Sequence, residues 1–253
     1  MAEPFLELVE VVKTYPGVLA LDRVSLSVAP GEVIGLVGEN GAGKSTLMKI
    51  LGGVVAPDSG VVRVDGKDLQ RLTVNEAIAA GIAFVHQELN LFDNLDVAGN
   101  VFIGREPLTG GFMRLIDEKV LHARVQPLLD RLGCDFASNA LVGELSLAQR
   151  QLVEIAKALS LNARLVIMDE PTSSLTIAET DRLMRVIAGL KAQGVSIIFI
   201  SHRLNEVEQC SDRVVVLRDG RVVGTLDRAE VAHATLIRLM IGRDLKSLYI
   251  PPA

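Results

Sequence analysis

Cysteine is scarce in this chain of 253 residues, which carries only Cys134 and Cys210. Two thiols so far apart support neither a disulfide framework nor a zinc cluster, so both are expected as small, buried apolar side chains in a reducing compartment. Basic charge is missing too. With 26 Lys and Arg against 31 Asp and Glu, the net charge is −5 and the isoelectric point about 5.5. That balance lacks the cationic excess that grips a nucleic-acid backbone. No apolar run approaches the roughly 18 residues of a membrane-spanning helix. The opening MAEPFLELVEVV carries acids where a secretory signal needs bases, so a chain soluble by itself is expected. Glycine and proline stand near ordinary levels, which excludes collagen-like repeats and disorder, and 49% of the residues are apolar. The length fits one large α/β domain.

The pattern of the chain is then informative. Residues 5–37 hold three β-type runs (LELVEVVKTY, RVSLSVA, EVIGLVG) separated by turns at Pro16-Gly17 and Pro30-Gly31, the pattern of paired strands. After Gly43 the period changes. Leu47, Ile50 and Leu51 fall on one helical stripe, stopped by Gly52-Gly53. Residues 61–65 alternate, with Val62 and Val64 on one face, and Asp65-Gly66 predicts a tight hairpin turn. A short helix over about 74–80 ends at Gly81 and leads into the strand Ile82–Val85. From about 90 to 160 no strand is expected, and helical spacing over 117–132 and 147–159 predicts an inserted helical subdomain, with Pro127 kinking or shortening the first helix. From 164 the βα alternation returns: LVIMDEP, a helix over 177–192, VSIIFISH, a helix to about 210 and RVVVLRDGRVVG. LVIM and VSIIFI are apolar at successive positions, as parallel strands covered on both faces require. The last helix is expected over 233–241, and the tail to Ala253 has no periodicity.

Three motifs carry chemistry. Gly38-Glu39-Asn40-Gly41-Ala42-Gly43-Lys44-Ser45 satisfies the phosphate-loop pattern and its context, following a strand and opening a helix that continues with Thr46. Glycines let successive backbone N–H groups face phosphate oxygens, and the helix adds the positive end of its dipole. Lys44 supplies a point charge and Ser45 a hydroxyl for Mg²⁺. The apolar strand Leu165–Met168 ends in Asp169-Glu170. At the carboxyl end of a sheet strand these acids are expected to face the phosphates, Asp169 toward Mg²⁺ and Glu170 toward the attacking water. Leu145-Ser146-Leu147-Ala148-Gln149 opens a helix in which Ser146 and Gln149 form a capping box; the same helix end can bind an anion.

With VGENGAGKSTLMKILGG, FVHQELNLF, ELSLAQRQLVEIAKAL, MDEPTSSLT, ISHRL and the closing MIGRDL in this order, the chain resembles the ATPase subunits of ABC transporters over essentially its whole length. It is most similar to the N-terminal ATPase half of bacterial monosaccharide importers. The resemblance implies one phosphate-loop ATPase domain over 1–253, with a mostly parallel central sheet, an N-terminal antiparallel β subdomain and the helical insertion. It implies ATP and Mg²⁺ as cofactors. Tyr15 would stack on adenine, Gln87 would meet Mg²⁺ and the attacking water, and His202 would contact the γ-phosphate. Ser146, Ala148 and Gln149 would bind the γ-phosphate of a nucleotide on a second ATPase domain. It further implies a separate membrane permease, indirectly a substrate-binding protein, and a location on the cytoplasmic face of the membrane. The signature loop departs from the family's commonest form by carrying Leu147 and Ala148 in place of two glycines, and Thr176 stands where an aspartate is more usual. The resembled importers join two such halves, whereas this chain holds one phosphate loop. Two other readings stand beside transport: a soluble relative acting on nucleic acid or ribosomes, and a regulatory nucleotide-binding half with little turnover.

Overall fold

A computed structural model describes residues 3–242. The chain opens with strands β1 (Leu6–Tyr15), β2 (Val18–Val28) and β3 (Val33–Val37), then helix α1 (Lys44–Leu51), strands β4 (Ser59–Val64) and β5 (Lys67–Leu69), helix α2 (Val74–Ala79) and strand β6 (Ile82–Val85). The insertion follows as α3 (Val97–Phe102), β7 (Leu108–Thr109), β8 (Leu115–Ile116), α4 (Glu118–Arg131) and α5 (Leu147–Leu159). The remainder is β9 (Leu165–Asp169), α6 (Ile177–Ala192), β10 (Ser196–Ile200), α7 (Leu204–Cys210), β11 (Arg213–Arg218), β12 (Arg221–Asp227) and α8 (His233–Ile241).

Two sheets organise these elements. One is antiparallel, in the order β2-β1-β4-β5; the other runs β12-β11-β3-β10-β9-β6, parallel except for the edge strand β12. The third of the opening runs, β3, therefore leaves its neighbours and becomes an inner strand of the second sheet. Its five residues are all buried, as are those of β10. Alternate side chains on these strands feed two cores. Val33, Val37, Phe199 and Met168 face the helical side, where α3, α4, α5 and α6 pack. Ile34, Leu36, Ile198 and Ile167 face the antiparallel sheet and α1. Each fully buried side chain of this size contributes about 1.5–3 kcal/mol by leaving water. The turn Asp65-Gly66 has both φ angles positive, +48° and +73°, as the tight hairpin between β4 and β5 requires.

Several expectations are corrected. The insertion is not free of strands: β7 and β8 form a two-stranded ribbon whose two-residue strands are too short to show alternation. It also holds α3, a six-residue helix capped by Asp96, whose side chain accepts from Gly99 N. Pro127 does not shorten α4, which continues to Arg131 because Val125 and Leu129, on either side of it, are both buried in the helical core. Cys134 and Cys210 are half-buried at the rim of that core. Burial nevertheless pushes their thiol pKa values up to about 12 and about 11. The closing motif and the tail lie, from residue 243 onward, outside the described residues.

Candidate functional site

The register of the parallel sheet assembles the site. Leu36, Ile200 and Asp169 stand side by side on β3, β10 and β9, and Val85 of β6 stands opposite Met168. All four strands end at the same edge. The segments that leave it are the glycine loop, Ser201-His202, Glu170-Pro171 and His86-Gln87, so four motifs scattered over more than 160 positions of sequence become neighbours.

Within the loop, Gly41 and Gly43 hold φ of +84° and +107°, angles that side-chain-bearing residues rarely adopt. A Cβ on Gly43 would also stand 2.6 Å from the carbonyl oxygen of Ala20, so this glycine lets β2 pass beside the loop. Gly43 is the N-cap of α1 and offers no side-chain cap, which leaves the first amides of that helix for an external acceptor. Lys44 Nζ donates to the carbonyl oxygens of Gly38 at 2.6 Å and Glu39 at 3.1 Å.

The charges are mutually tuned. Burial lowers the pKa of the Lys44 ammonium, while Glu170 and then Asp169 oppose that shift. Burial raises the pKa of the Asp169 carboxyl, Glu170 adds to the rise, and His86 and Lys44 counter it. Glu170 sits with φ +48°, held there by its N–H donating to Ile200 O at 2.9 Å. Its Oε1 is 3.2 Å from Nδ1 of His202, whose side chain is 64% exposed. The structure thus brings Lys44, Asp169, Glu170 and His202 together. Tyr15, the last residue of β1, is 36% exposed with Lys13 Nζ 5.7 Å from its ring, and Gln87 lies exposed in the loop after β6.

Ser146, Ala148 and Gln149 stand elsewhere. The capping box is present: Ser146 Oγ accepts from Gln149 N at 3.3 Å, and Gln149 Oε1 accepts from Ser146 N at 2.9 Å. These three residues line a cleft of about 250 Å³ with Asp135, Glu179 and Arg182, and Leu147 is not among its walls. A second groove, of about 370 Å³, is lined by Ser45, His86 and Asp169 and continues between α1 and α2 over Val54, Val74, Ile78 and Phe84. The two clefts share no lining residue. Thr176 caps α6 in a box with Glu179.

His86 was not singled out by sequence reading. It faces the same groove as Ser45 and Asp169 and stacks on Phe84 at 5.7 Å. The available signal was its position, one residue past a strand that ends beside β9.

The donor set bears on a metal. Among the described residues no group of three or more His, Cys, Asp or Glu is placed to hold an ion. One hydroxyl and one carboxylate on a shared groove are too few for a protein cage. They fit a cation that keeps water and phosphate oxygens as ligands, as Mg²⁺ does.

A glycine loop, a carboxylate pair and a histidine at the carboxyl edge of one sheet define a phosphate-loop nucleotide-binding cassette. The chain belongs to the ABC transporter family, whose sequence profile matches residues 21–173. It is 50% identical over 250 residues to the putative ribose/galactose/methyl galactoside import ATP-binding protein 1 of Burkholderia ambifaria, covering 99% of this chain and 48% of that protein. To the ribose import ATP-binding protein RbsA of Rhodopirellula baltica it is 49% identical over 239 residues, covering 94% and 46%. The chain spans about half the length of the curated relatives it matches. Among solved structures, the ADP conformation of MJ1267, an ATP-binding cassette of an ABC transporter, superposes with a TM-score of 0.83 at 28% identity, covering 96% of this chain and 100% of that one. A dimeric post-hydrolysis state of the cassette MJ0796 bound to ADP and Pi gives 0.73 at 27% identity, covering 88% and 98%.

Proposed function

We propose that residues 1–253 act as one ATP-hydrolysing cassette that couples to import of a monosaccharide through a separate membrane permease. The observation that carries this reading is the convergence of Lys44, Asp169, Glu170 and His202 at one sheet edge, with the capped end of α5 in a separate cleft. A site divided in this way needs a second cassette to supply its other half, and the dimeric relative supports that arrangement. The cargo class rests on the likeness to sugar-import ATP-binding proteins.

In this mechanism the loop amides and Lys44 bind the β- and γ-phosphates of ATP, and Tyr15 packs on the base. Ser45 and Asp169, with Gln87 from the loop after β6, would hold Mg²⁺, which when bound offsets phosphate charge. A water oxygen attacks the γ-phosphorus as the bond to the β–γ bridging oxygen breaks. Glu170 takes the proton released by that water, and ADP departs with the bridging oxygen. His202 holds the Glu170 carboxylate from Nδ1 and contributes to the γ-phosphate site. Ser146, Ala148 and Gln149 of the opposite cassette complete the shell of donors.

The apolar part of the second groove supports permease docking. Val54, Val74 and Ile78 are 66, 46 and 41% exposed there, beside the loop that carries Gln87. Among the described residues no helix is long and apolar enough to cross a membrane, consistent with a cassette that meets the cytoplasmic face through its partner.

The test is the solution mass of the Glu170→Gln variant with and without Mg-ATP. Dimer only with ATP supports the composite site. A chain that binds ATP yet stays monomeric refutes pairing of like cassettes and favours the regulatory reading.

A further inference from the structure

The mechanism leaves unused a buried carboxylate that reaches both loops of the site. Glu206 lies in α7 at 8% exposure, where an apolar side chain would fill the space without the cost of removing a carboxylate from water. Its partners are specific. Oε2 accepts from Thr172 Oγ1 at 2.5 Å and from Ser201 Oγ at 3.2 Å, and Oε1 faces Arg203 Nη1 at 3.2 Å. Thr172 follows Glu170 by two residues, while Ser201 and Arg203 flank His202 on both sides. Arg203 ties the two segments again by donating from Nη2 to Ser173 O at 3.3 Å, and its backbone N donates to Ser201 Oγ at 3.0 Å within its own segment.

These bonds close a ring. Its outer side is the Glu170–His202 contact at 3.2 Å and the Glu170 N–H to Ile200 O bond; its inner side is the Glu206 carboxylate with Thr172 and Ser201. Neither loop belongs to a helix or strand at that point, and the one ladder-type bond there, Glu170 N–H to Ile200 O, fixes the Glu170 backbone but not the separation of its carboxylate from the His202 ring. Charge-assisted bonds to one shared carboxylate do fix it, being shorter and stronger than neutral ones.

We propose that Glu206 is a positioning residue that sets the Glu170–His202 geometry by anchoring the two loops that carry them. The proposal rests on the ATPase reading for its consequence in rate, and on geometry alone for the anchoring. A misplacement of about 1 Å in such a constellation can cost on the order of 100-fold in rate.

The experiment uses three variants of the full chain: Glu206→Gln, Thr172→Val and Thr172→Ser. Glutamine keeps the shape but turns an amide N–H₂ toward a donor; valine deletes the Thr172 donor; serine keeps it. The first readout is the side-chain ¹H–¹⁵N spectrum of the four histidines, without nucleotide, with His202 assigned by His202→Gln. Expected is movement of the His202 ring signals alone in Glu206→Gln and Thr172→Val, with recovery in Thr172→Ser. An unmoved His202, or all four histidines moving together, would overturn the proposal. The second readout is ATP turnover: kcat at least about 10-fold lower with KM unchanged in the first two variants, and near wild type in the third. Equal loss in Thr172→Ser and Thr172→Val would also overturn it. If the unaltered chain shows no hydrolysis sensitive to Lys44→Ala, the ATPase reading fails, while the histidine spectrum still decides the anchoring.

Discussion

Two glycines of one loop should respond differently to the same methyl group. Gly41 and Gly43 both hold positive φ, so alanine at either pays conformational strain of about 1–2 kcal/mol. Their surroundings differ. A Cβ on Gly41 meets nothing within 4 Å, whereas one on Gly43 would stand 2.6 Å from Ala20 O and 2.8 Å from Leu21 Cδ2. One of those neighbours is backbone in a strand and cannot turn aside, so Gly43→Ala adds an overpacking cost of about 1–3 kcal/mol. The φ of +107° at Gly43 lies further from the left-handed well than the +84° at Gly41, which acts in the same direction. Expected losses are therefore about 1–2 kcal/mol for Gly41→Ala and about 2–5 kcal/mol for Gly43→Ala. The difference corresponds to roughly 2–12 °C in thermal midpoint for a domain of this size. Urea unfolding followed by circular dichroism measures both, provided the slope is common to the variants. Equal destabilisation, or a larger loss at Gly41, would refute the claim that contact with β2 is what excludes a side chain at position 43.

Other expectations follow the same logic. Asp169→Asn removes a carboxylate whose pKa is raised by burial and by Glu170, so the charged form opposes folding above that pKa. The variant should melt higher than wild type at pH 7 without nucleotide. Its advantage should shrink as the pH falls through the raised carboxyl range, and Mg²⁺-dependent ATP binding should weaken; calorimetry across pH checks the sign. Phe199→Ala empties a fully buried position in the central sheet and should cost about 3–5 kcal/mol in denaturant titration. Arg213 joins Glu32 at 2.8 Å and Ser27 O at 2.7 Å, so Arg213→Ala leaves a half-buried carboxylate unpaired and should cost about 2 kcal/mol in the same assay. With their pKa values pushed to about 12 and about 11, Cys134 and Cys210 should react slowly with a maleimide at pH 7.5 and quickly once urea unfolds the chain.

Much of this molecule was legible before any coordinates. Helix α6 spans the residues 177–192 over which a helix is expected, and β6 spans the four residues expected of it. Strong local signals, caps and continuous apolar runs, account for that success. What escaped was short or non-local. Helix α3 is a short helix of six residues within the insertion, and the β7–β8 ribbon has two residues per strand, too few for alternation to show. Pro127 misled because its local penalty is outweighed by burial on both sides. In the site, the phosphate loop and the acids ending β9 were readable because their chemistry is contiguous in sequence. The Glu206 ring was not, since its members come from two segments, 170–173 and 200–206, that only the sheet order makes adjacent.

The left-handed backbone at Glu170 bears on how this protein could be engineered. A residue other than glycine at φ +48° sits at a cost of about 1 kcal/mol, relieved by glycine or asparagine. Any selection for thermostability alone would therefore reward substitutions at position 170 and steadily enrich molecules without the proposed proton acceptor. A library screened by melting temperature should hold that codon fixed, because one of the seven non-glycine positions with positive φ among the described residues is the proposed proton acceptor.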